Sequence, residues 1–348
     1  MMVFSAAQPL PAGFQSVVEL ENFLSEPPPE VIGDLARVRG DILVLGVAGK
    51  MGPTLARMAK RAAPGKRVVG VARFSDPAVR AGLAAAGIET IACDLMDRGA
   101  LSQLPRLPNV VYMAAMKFGA SGNPALTWAM NVHVPALVAE TFQSSRIVAF
   151  STGCVYPFVP VDGGGATEAT PAVPPPGDYA NSCVGRERMF EFFSAGLGTP
   201  GRLIRLNYAI DMRYGVLHDI AVKVRDGVPI DLSMGHVNVI WQGDANAVAL
   251  RCLARVTNPT SPINVTGPET LRVRQLAEAL GRRLQREPRF SGTEARTGWL
   301  NNAGRMLAEF GPPRVPIEAM LEWTADWLAR GMISHGKPTH YEVRDGHF

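Results

Sequence analysis

From Asp41 onward, short apolar runs alternate with stretches whose apolar positions recur every third or fourth residue. The short runs read as strands buried on both faces, and the longer stretches as amphipathic helices. The first run, Ile42 to Leu45, is followed by a helical pattern at Thr54, Leu55, Met58 and Ala59. Further strands are expected at Arg67 to Ala72, Glu89 to Ala92, Asn109 to Met113, Arg146 to Phe150 and Arg202 to Leu206. Helices are expected at Ala78 to Ala86, Leu126 to Gln143 and Tyr179 to Phe193. Repeated strand–helix units with right-handed crossovers make a Rossmann-type, doubly wound parallel sheet of the α/β class.

After residue 210 the alternation shortens. A helix at Leu217 to Asp226, strands at Ile230 to Leu232 and Val237 to Ile240, a helix at Asp244 to Val256, a strand at Ile263 to Val265 and a helix at Val273 to Leu284 read as a smaller, mixed α+β lobe. A last helix, Pro316 to Arg330, buries a stripe of Met320, Trp323, Trp327 and Leu328. Ahead of the first strand, Val17 to Leu24 and Val31 to Val38 are expected as short helices parted by Pro27-Pro28-Pro29. The long Pro- and Gly-rich stretch from Pro157 to Asp178 reads as an active-site loop.

Between the first strand and its helix stand Gly46, Gly49 and Gly52, in the stretch GVAGKMG that also holds Lys50 and Met51. Glycine allows positive φ and close backbone approach, so a diphosphate can rest on N–H groups at the positive end of a helix. A dinucleotide is the ligand such a turn suits. The second strand ends at Arg73, where a carboxylate would hold the ribose hydroxyls of NAD. A guanidinium there can pair with a 2′-phosphate, which favours NADP while NAD stays possible. Asp94, after the third strand, either accepts from the adenine amino group or caps the next helix. The expected division is an N-terminal extension over 1–40, a dinucleotide domain over 41–210 with about 239–258, a substrate lobe over 211–238 and 259–335, and a polar tail over 336–348.

Composition narrows the field without redirecting it. The 348 residues are 47% hydrophobic and 19% charged, ordinary for a globular chain, and the net charge of +4 is scattered, so nucleic acid is not implied. Cys93, Cys154, Cys183 and Cys252 lack metal-ligand or C-x-x-C spacing, and the six histidines are dispersed, so no metal site is expected. The N-terminus lacks a basic stretch followed by an apolar core, and no apolar run reaches the roughly 18 residues of a membrane span. A cytoplasmic setting is expected.

Several landmarks, in order, make the chain resemble the extended short-chain dehydrogenase/reductase family, the NAD(P)-dependent epimerase/dehydratase group that acts mainly on nucleotide sugars. They are GVAGKMG at Gly46, CDL at Cys93 to Leu95, Ala114-Ala115, STGCVY at Ser151 to Tyr156, YANSC at Tyr179 to Cys183, RLN at Arg205 to Asn207, VIWQGDAN at Val239 to Asn246 and INVTGPETLRVRQLAEAL at Ile263 to Leu280. The resemblance implies that Gly46, Gly49, Lys50, Met51, Gly52, Arg73, Asp94, Leu95, Ala114, Ala115, Asn131 and Tyr179 line the cofactor site. It implies that Thr152 bonds the reacting oxygen, that Tyr179 is the general acid/base, and that Asn207 and His236 meet the substrate; Lys117, in the loop after the fourth strand, is expected beside the substrate too. A homodimer is implied through the helices carrying Asn131 and Tyr179.

Two departures from the family pattern matter. The family places a lysine four residues after the tyrosine to lower the phenol's pKa, and here that position is Cys183. Another cation, Lys117 or Arg186, can take over; Cys183 can serve as a thiol; or the site can have lapsed into an NADP-binding sensor or scaffold. Second, Gly153-Cys154 stands where sugar dehydratases of the family carry an Asp-Glu pair, which disfavours water elimination. Oxidation, reduction or epimerisation of a sugar, sugar acid or nucleotide sugar is the expected reaction. Asp244 is expected to cap the helix it begins.

Overall fold

A computed structural model describes residues 9–117 and 122–345. Residues 1–8 of the expected extension and 346–348 of the expected tail, His347 among them, lie outside the described residues. One sheet holds β1 (Ile42–Leu45), β2 (Val68–Ala72), β3 (Glu89–Ala92), β4 (Asn109–Tyr112), β5 (Arg146–Thr152), β6 (Gly201–Leu206) and β7 (Ser261–Val265). Every neighbouring pair is parallel, in the order 3-2-1-4-5-6-7. The winding reverses between β1 and β4, and that switch opens a crevice at the carboxyl ends of both strands.

Two helices precede the sheet, α1 (Val17–Leu24) and α2 (Pro29–Arg37). In the crossovers follow α3 (Gly52–Ala62), α4 (Pro77–Ala85), α5 (Arg98–Ser102), α6 (Pro124–Trp128), α7 (Val134–Thr141) and α8 (Asp178–Leu197). The remainder of the chain adds α9 (Val216–Asp226), α10 (Gln242–Cys252), α11 (Val273–Leu284), α12 (Gly304–Phe310) and α13 (Ile317–Ala329). Strand periodicity sorts the core: Ile42 and Val44 face a cluster with Leu55, Met58 and Leu250, while Leu43 and Leu45 face one with Leu101, Leu137 and Phe190. A third cluster, in the second lobe, gathers Leu217, Ile220, Leu276, Met320, Trp323 and Trp327.

The sequence-based picture is corrected at several points. Ser261–Val265, expected in the second lobe, is the edge strand β7, with Ile263 in register with Ile204 of β6. The expected strand Val237 to Ile240 is two: His236–Val237 pairs antiparallel with Leu271–Arg272, and Ile240–Trp241 pairs parallel with Ala209–Ile210. The expected helix from Leu126 is broken by one π-helical turn, Ala129–His133, between α6 and α7. Pro29 opens α2 instead of preceding it, because a first-turn proline loses no hydrogen bond. The expected polar tail is docked: Thr339 and Tyr341 are buried, and the carboxylate of Asp219 on α9 accepts from the Thr339 amide at 2.7 Å.

The leading segment is more than an extension, since it ties both lobes together. Leu20 and Leu24 of α1 lie in the second-lobe cluster, whereas Val31 and Leu35 of α2 lie against the sheet. The Glu21 carboxylate accepts from Arg57 of α3 at 3.2 Å and from Arg213, ahead of α9, at 2.9 Å. Among the described residues no helix is long and apolar enough to cross a membrane.

Candidate active site

The turn after β1 is forced by contacts that only glycine tolerates. Gly46 sits at φ +84°, and a Cβ there would lie 2.6 Å from the Ala114 amide nitrogen. At Gly52 a Cβ would meet the Val47 carbonyl oxygen at 2.2 Å. Gly49 differs: its φ is ordinary, its nearest contact would be 3.4 Å, and the residue is exposed. Gly46 and Gly52 therefore shape the turn, while Gly49 keeps its outer surface low. No side chain caps the N-terminus of α3, whose first turn contains Pro53. Met51 packs on the core beneath.

Lys50 turns back over the crevice, its Nζ 3.1 Å from the centre of the Tyr214 ring. Burial, then the positive charges of Lys117 and Lys337, push its ammonium down to about 7. Ala48, Arg73, Asp94 and Ala115 are exposed along the same crevice, at the ends of β1, β2, β3 and β4. Asp94 accepts from the Met96 amide at 3.0 Å, and it is Asp97 that caps α5. Leu95 and Ala114 are buried packing residues. Asn131, in the π-helical turn, holds Met116 from both sides: its Oδ1 accepts from the Met116 amide and its Nδ2 donates to the Met116 carbonyl, each at 2.9 Å. The same side chain donates to Ser182 of α8 and accepts from Arg186 at 2.7 Å.

At the other end of the crevice, β5 and α8 bring Thr152 and Tyr179 together, both buried. Thr152 and, one turn along α8, the Cys183 thiol lie beside the Tyr179 phenol, each close enough to act on its proton. Thr152 also accepts from the Cys154 amide at 3.2 Å. Lys117 reaches in from the segment after β4, with its Nζ 5.8 Å from the centre of the Tyr179 ring. Its ammonium donates to the Thr339 carbonyl at 3.2 Å. Burial lowers the Lys117 pKa below the usual lysine range, against the pull of Cys154, Asp219 and Cys183. Burial raises the Tyr179 phenol well above the usual tyrosine range; Cys183 and Cys154 add to the rise, and Arg186 and Thr152 oppose it. Arg186 lies below, donating to the Phe150 carbonyl at 2.9 Å.

Beneath this cluster runs a polar network that the sequence reading missed. Glu187 accepts from Ser151 at 2.6 Å and from Arg205 at 2.6 Å, and Arg205 donates to the Tyr156 hydroxyl at 2.7 Å. It fixes the backbone on either side of Thr152. At Gly153 a Cβ would lie 2.7 Å from the Asn301 side-chain oxygen, so a larger residue there requires that amide to move. Tyr208, just after Asn207, holds φ +45° and buries a hydroxyl with no partner among the described residues. No signal in the sequence marks either feature.

The remaining expected residues scatter. Asn207 is buried, its amide donating to the Trp299 carbonyl at 3.3 Å and to Asn238 at 3.5 Å. His236 lines a hollow of about 420 Å³ with Arg272, Arg274, Glu294 and Arg296, a hollow that none of Thr152, Tyr179, Cys183 and Lys117 lines. Burial and Arg272 lower its pKa. Asp244 does not cap α10, which begins at Gln242; its carboxylate accepts from the Val315 amide at 3.0 Å, and burial raises it to about 6. All four cysteines are free and buried, and no group of three or more His, Cys, Asp or Glu among the described residues could hold a metal.

Comparison with known proteins gives one match by sequence: residues 42–207 fit the NAD dependent epimerase/dehydratase family. No curated protein matches the chain. Among solved structures, UDP-glucose 4-epimerase of Thermus thermophilus in complex with NAD aligns with TM-score 0.68 and 20% identity, over 84% of this chain and 100% of that one. The dTDP-glucose 4,6-dehydratase of Streptomyces venezuelae with NAD aligns with TM-score 0.72 and 20% identity, over 83% and 97%. A UDP-glucuronic acid 4-epimerase from Bacillus cereus aligns with TM-score 0.68 and 16% identity, over 83% and 99%. At these identities the likeness is one of fold.

Proposed function

From the membership of residues 42–207 in the NAD dependent epimerase/dehydratase family, we infer that the chain is an NAD(P)-dependent oxidoreductase or epimerase. It acts by hydride transfer on a sugar, sugar acid or nucleotide sugar, as an active-site variant in which Lys117 replaces the lysine missing at Cys183. The observation that carries this reading is the meeting of Thr152 and Tyr179 with the Lys117 ammonium 5.8 Å from the centre of the tyrosine ring.

The crevice fits a dinucleotide. Gly49 keeps the turn low where a side chain would stand over the uncapped start of α3, and Ala115 leaves the floor between β1 and β4 open. When bound, the nicotinamide supplies the hydride acceptor or donor. Gly46, Gly49, Lys50 and Gly52 would hold the diphosphate, Asp94 the adenine side, and Arg73 a 2′-phosphate, which favours NADP over NAD.

Tyr179 Oη exchanges a proton with the substrate oxygen, while Thr152 Oγ1 holds that oxygen in line. An ammonium beside the phenol lowers the cost of its anion, which burial and two thiols otherwise raise. Asn131 keeps Met116 fixed and so sets where the chain leads into Lys117. Gly153-Cys154 supply no carboxylate beside Thr152, which supports oxidation, reduction or epimerisation over elimination. A homodimer through α6, α7 and α8 is supported by exposed Leu126 and Trp128 on α6 and Phe192 on α8.

The rise in the Tyr179 pKa favours a second reading, a lapsed site that keeps NADP as a sensor or scaffold ligand. Purified protein separates the two. Absorbance and mass of retained nucleotide, followed by turnover with UDP-glucose and UDP-glucuronate, should give bound NAD(P) with activity for the enzyme, nucleotide without activity for the sensor. Absence of any nucleotide affinity overturns both.

A further inference from the structure

A line of buried hydrogen bonds runs from beside Thr152 to the far edge of the sheet. It begins at Glu187 of α8, whose carboxylate accepts from Ser151 Oγ of β5 at 2.6 Å. Arg205 of β6 grips the same carboxylate with two N–H groups, at 3.0 and 2.6 Å, and donates a third to Tyr156 Oη at 2.7 Å. Tyr156 Oη in turn donates to Asn264 Oδ1 of β7 at 2.8 Å. Ser151, Glu187, Arg205, Tyr156 and Asn264 are all buried, so water does not compete for these bonds. Chemistry fixes the polarity of the line. A guanidinium only donates, so Tyr156 accepts from it and gives its own proton to Asn264, which turns the Asn264 NH2 group the other way.

There the line meets the Pro- and Gly-rich loop that precedes α8. The Asn264 side chain donates to the Ala166 carbonyl at 2.8 Å and to the Asn302 carbonyl at 3.0 Å, and its backbone amide donates to Glu168 at 2.8 Å. Ala166 is also tied by main chain: its amide donates to the Leu300 carbonyl at 2.7 Å, and its carbonyl accepts from the Asn302 amide at 2.8 Å. Gly165 permits this approach, since it sits at φ +83° and a Cβ there would lie 2.6 Å from the Asn301 carbonyl carbon. Nearer Tyr156, Val159–Pro160 pairs antiparallel with Thr297–Gly298. The loop is therefore docked, on the sheet edge and on residues 297–302.

We propose that this line is a positioning device for Thr152 and Tyr179. The Ser151–Glu187 bond is a strut between β5 and α8, the two elements that carry the pair, and so sets their spacing. Tyr156, four residues after Thr152, passes the docking of the loop to the same end of β5. Glu187 and Tyr156 are thus positioning residues. A loop released from Asn264 misaligns the phenol and the threonine hydroxyl while leaving both side chains intact. The inference rests on the roles given to Thr152 and Tyr179 above.

Two variants of the full chain cut the line and leave Thr152 itself unchanged. Tyr156→Phe removes one hydroxyl and keeps the ring, and Glu168→Ala frees the loop from the Asn264 amide. In protein with methyl-labelled threonine, the Thr152 methyl resonance should shift or broaden in both, while that of Thr54, in α3, stays in place. A Thr152 resonance unmoved in both variants overturns the device, whatever the substrate. With UDP-glucose or UDP-glucuronate, Tyr156→Phe should lower kcat about tenfold while KM and NADPH affinity stay within about twofold. Changes in KM or NADPH affinity as large as that in kcat would leave Tyr156 a structural residue and overturn its positioning role. Ser151→Ala combined with Tyr156→Phe should cost about as much as the larger single loss, because one line is cut twice. Additive losses overturn the single line. A Thr152 methyl that moves in a chain without turnover on either sugar supports the device and counts against the enzyme reading instead.

Discussion

The two ends of the crevice are made of different material. At the turn after β1, Ala48, Gly49, Arg73, Asp94 and Ala115 are exposed, and the shape comes from main chain held by Gly46 and Gly52. Thr152, Tyr179 and Cys183 are buried, and the shape there comes from side chains drawn from β5, α8 and the segment after β4. A backbone-built end binds many nucleotides with one geometry. A side-chain-built end can exchange its chemistry one residue at a time, which a backbone-built end cannot.

If the ends are separable, damage to one should leave the other intact. Tyr179→Phe is expected to lower turnover by about 10²–10⁴ while NADPH affinity stays within about twofold. A parallel loss of affinity, seen by fluorescence titration, would break the separation. Gly52→Ala should destabilise by about 2–4 kcal/mol, since its Cβ meets the Val47 carbonyl at 2.2 Å. Gly49→Ala should leave the melting temperature alone yet weaken NADPH about tenfold. Equal melting temperatures for the two variants would refute the division of labour inside the turn.

Lys117→Met should cost about 10–100-fold in turnover, and adding Cys183→Lys to that variant should recover much of it. Full activity in the single variant would show that the cation is not needed. The smallest effect is a titration. Before nucleotide binds, Lys50, at about 7, is largely neutral at mildly alkaline pH, and a diphosphate beside it raises that value. Binding therefore takes up a proton above neutral pH, and affinity should fall as pH climbs from there toward the ordinary lysine range. Calorimetry in two buffers of different ionisation heat reads the uptake, which Lys50→Met should abolish.

What can be read from the sequence follows the same divide. The turn at Gly46 to Gly52 and the strands β1 to β6 are legible because strand periodicity and glycine geometry are local. Thr152 and Tyr179 are found through resemblance, and their meeting is observed. β7 departs from expectation because an edge strand and a lobe strand look alike in sequence. Asp244 reads as a cap on composition alone, whereas its partner Val315 is far along the chain. The Glu187–Arg205–Tyr156 network and the docking of Thr339 and Tyr341 are long-range pairings of ordinary residues, which carry no local pattern. A polar segment reads as a solvated tail until its partners are known.

Glu21 receives an arginine from each lobe, and the two helices around it are sunk in different cores. Rotation of one lobe against the other would tear at this clasp, so the molecule should melt as a single cooperative body. Lobes clasped in this way leave the crevice little freedom to widen by hinge motion.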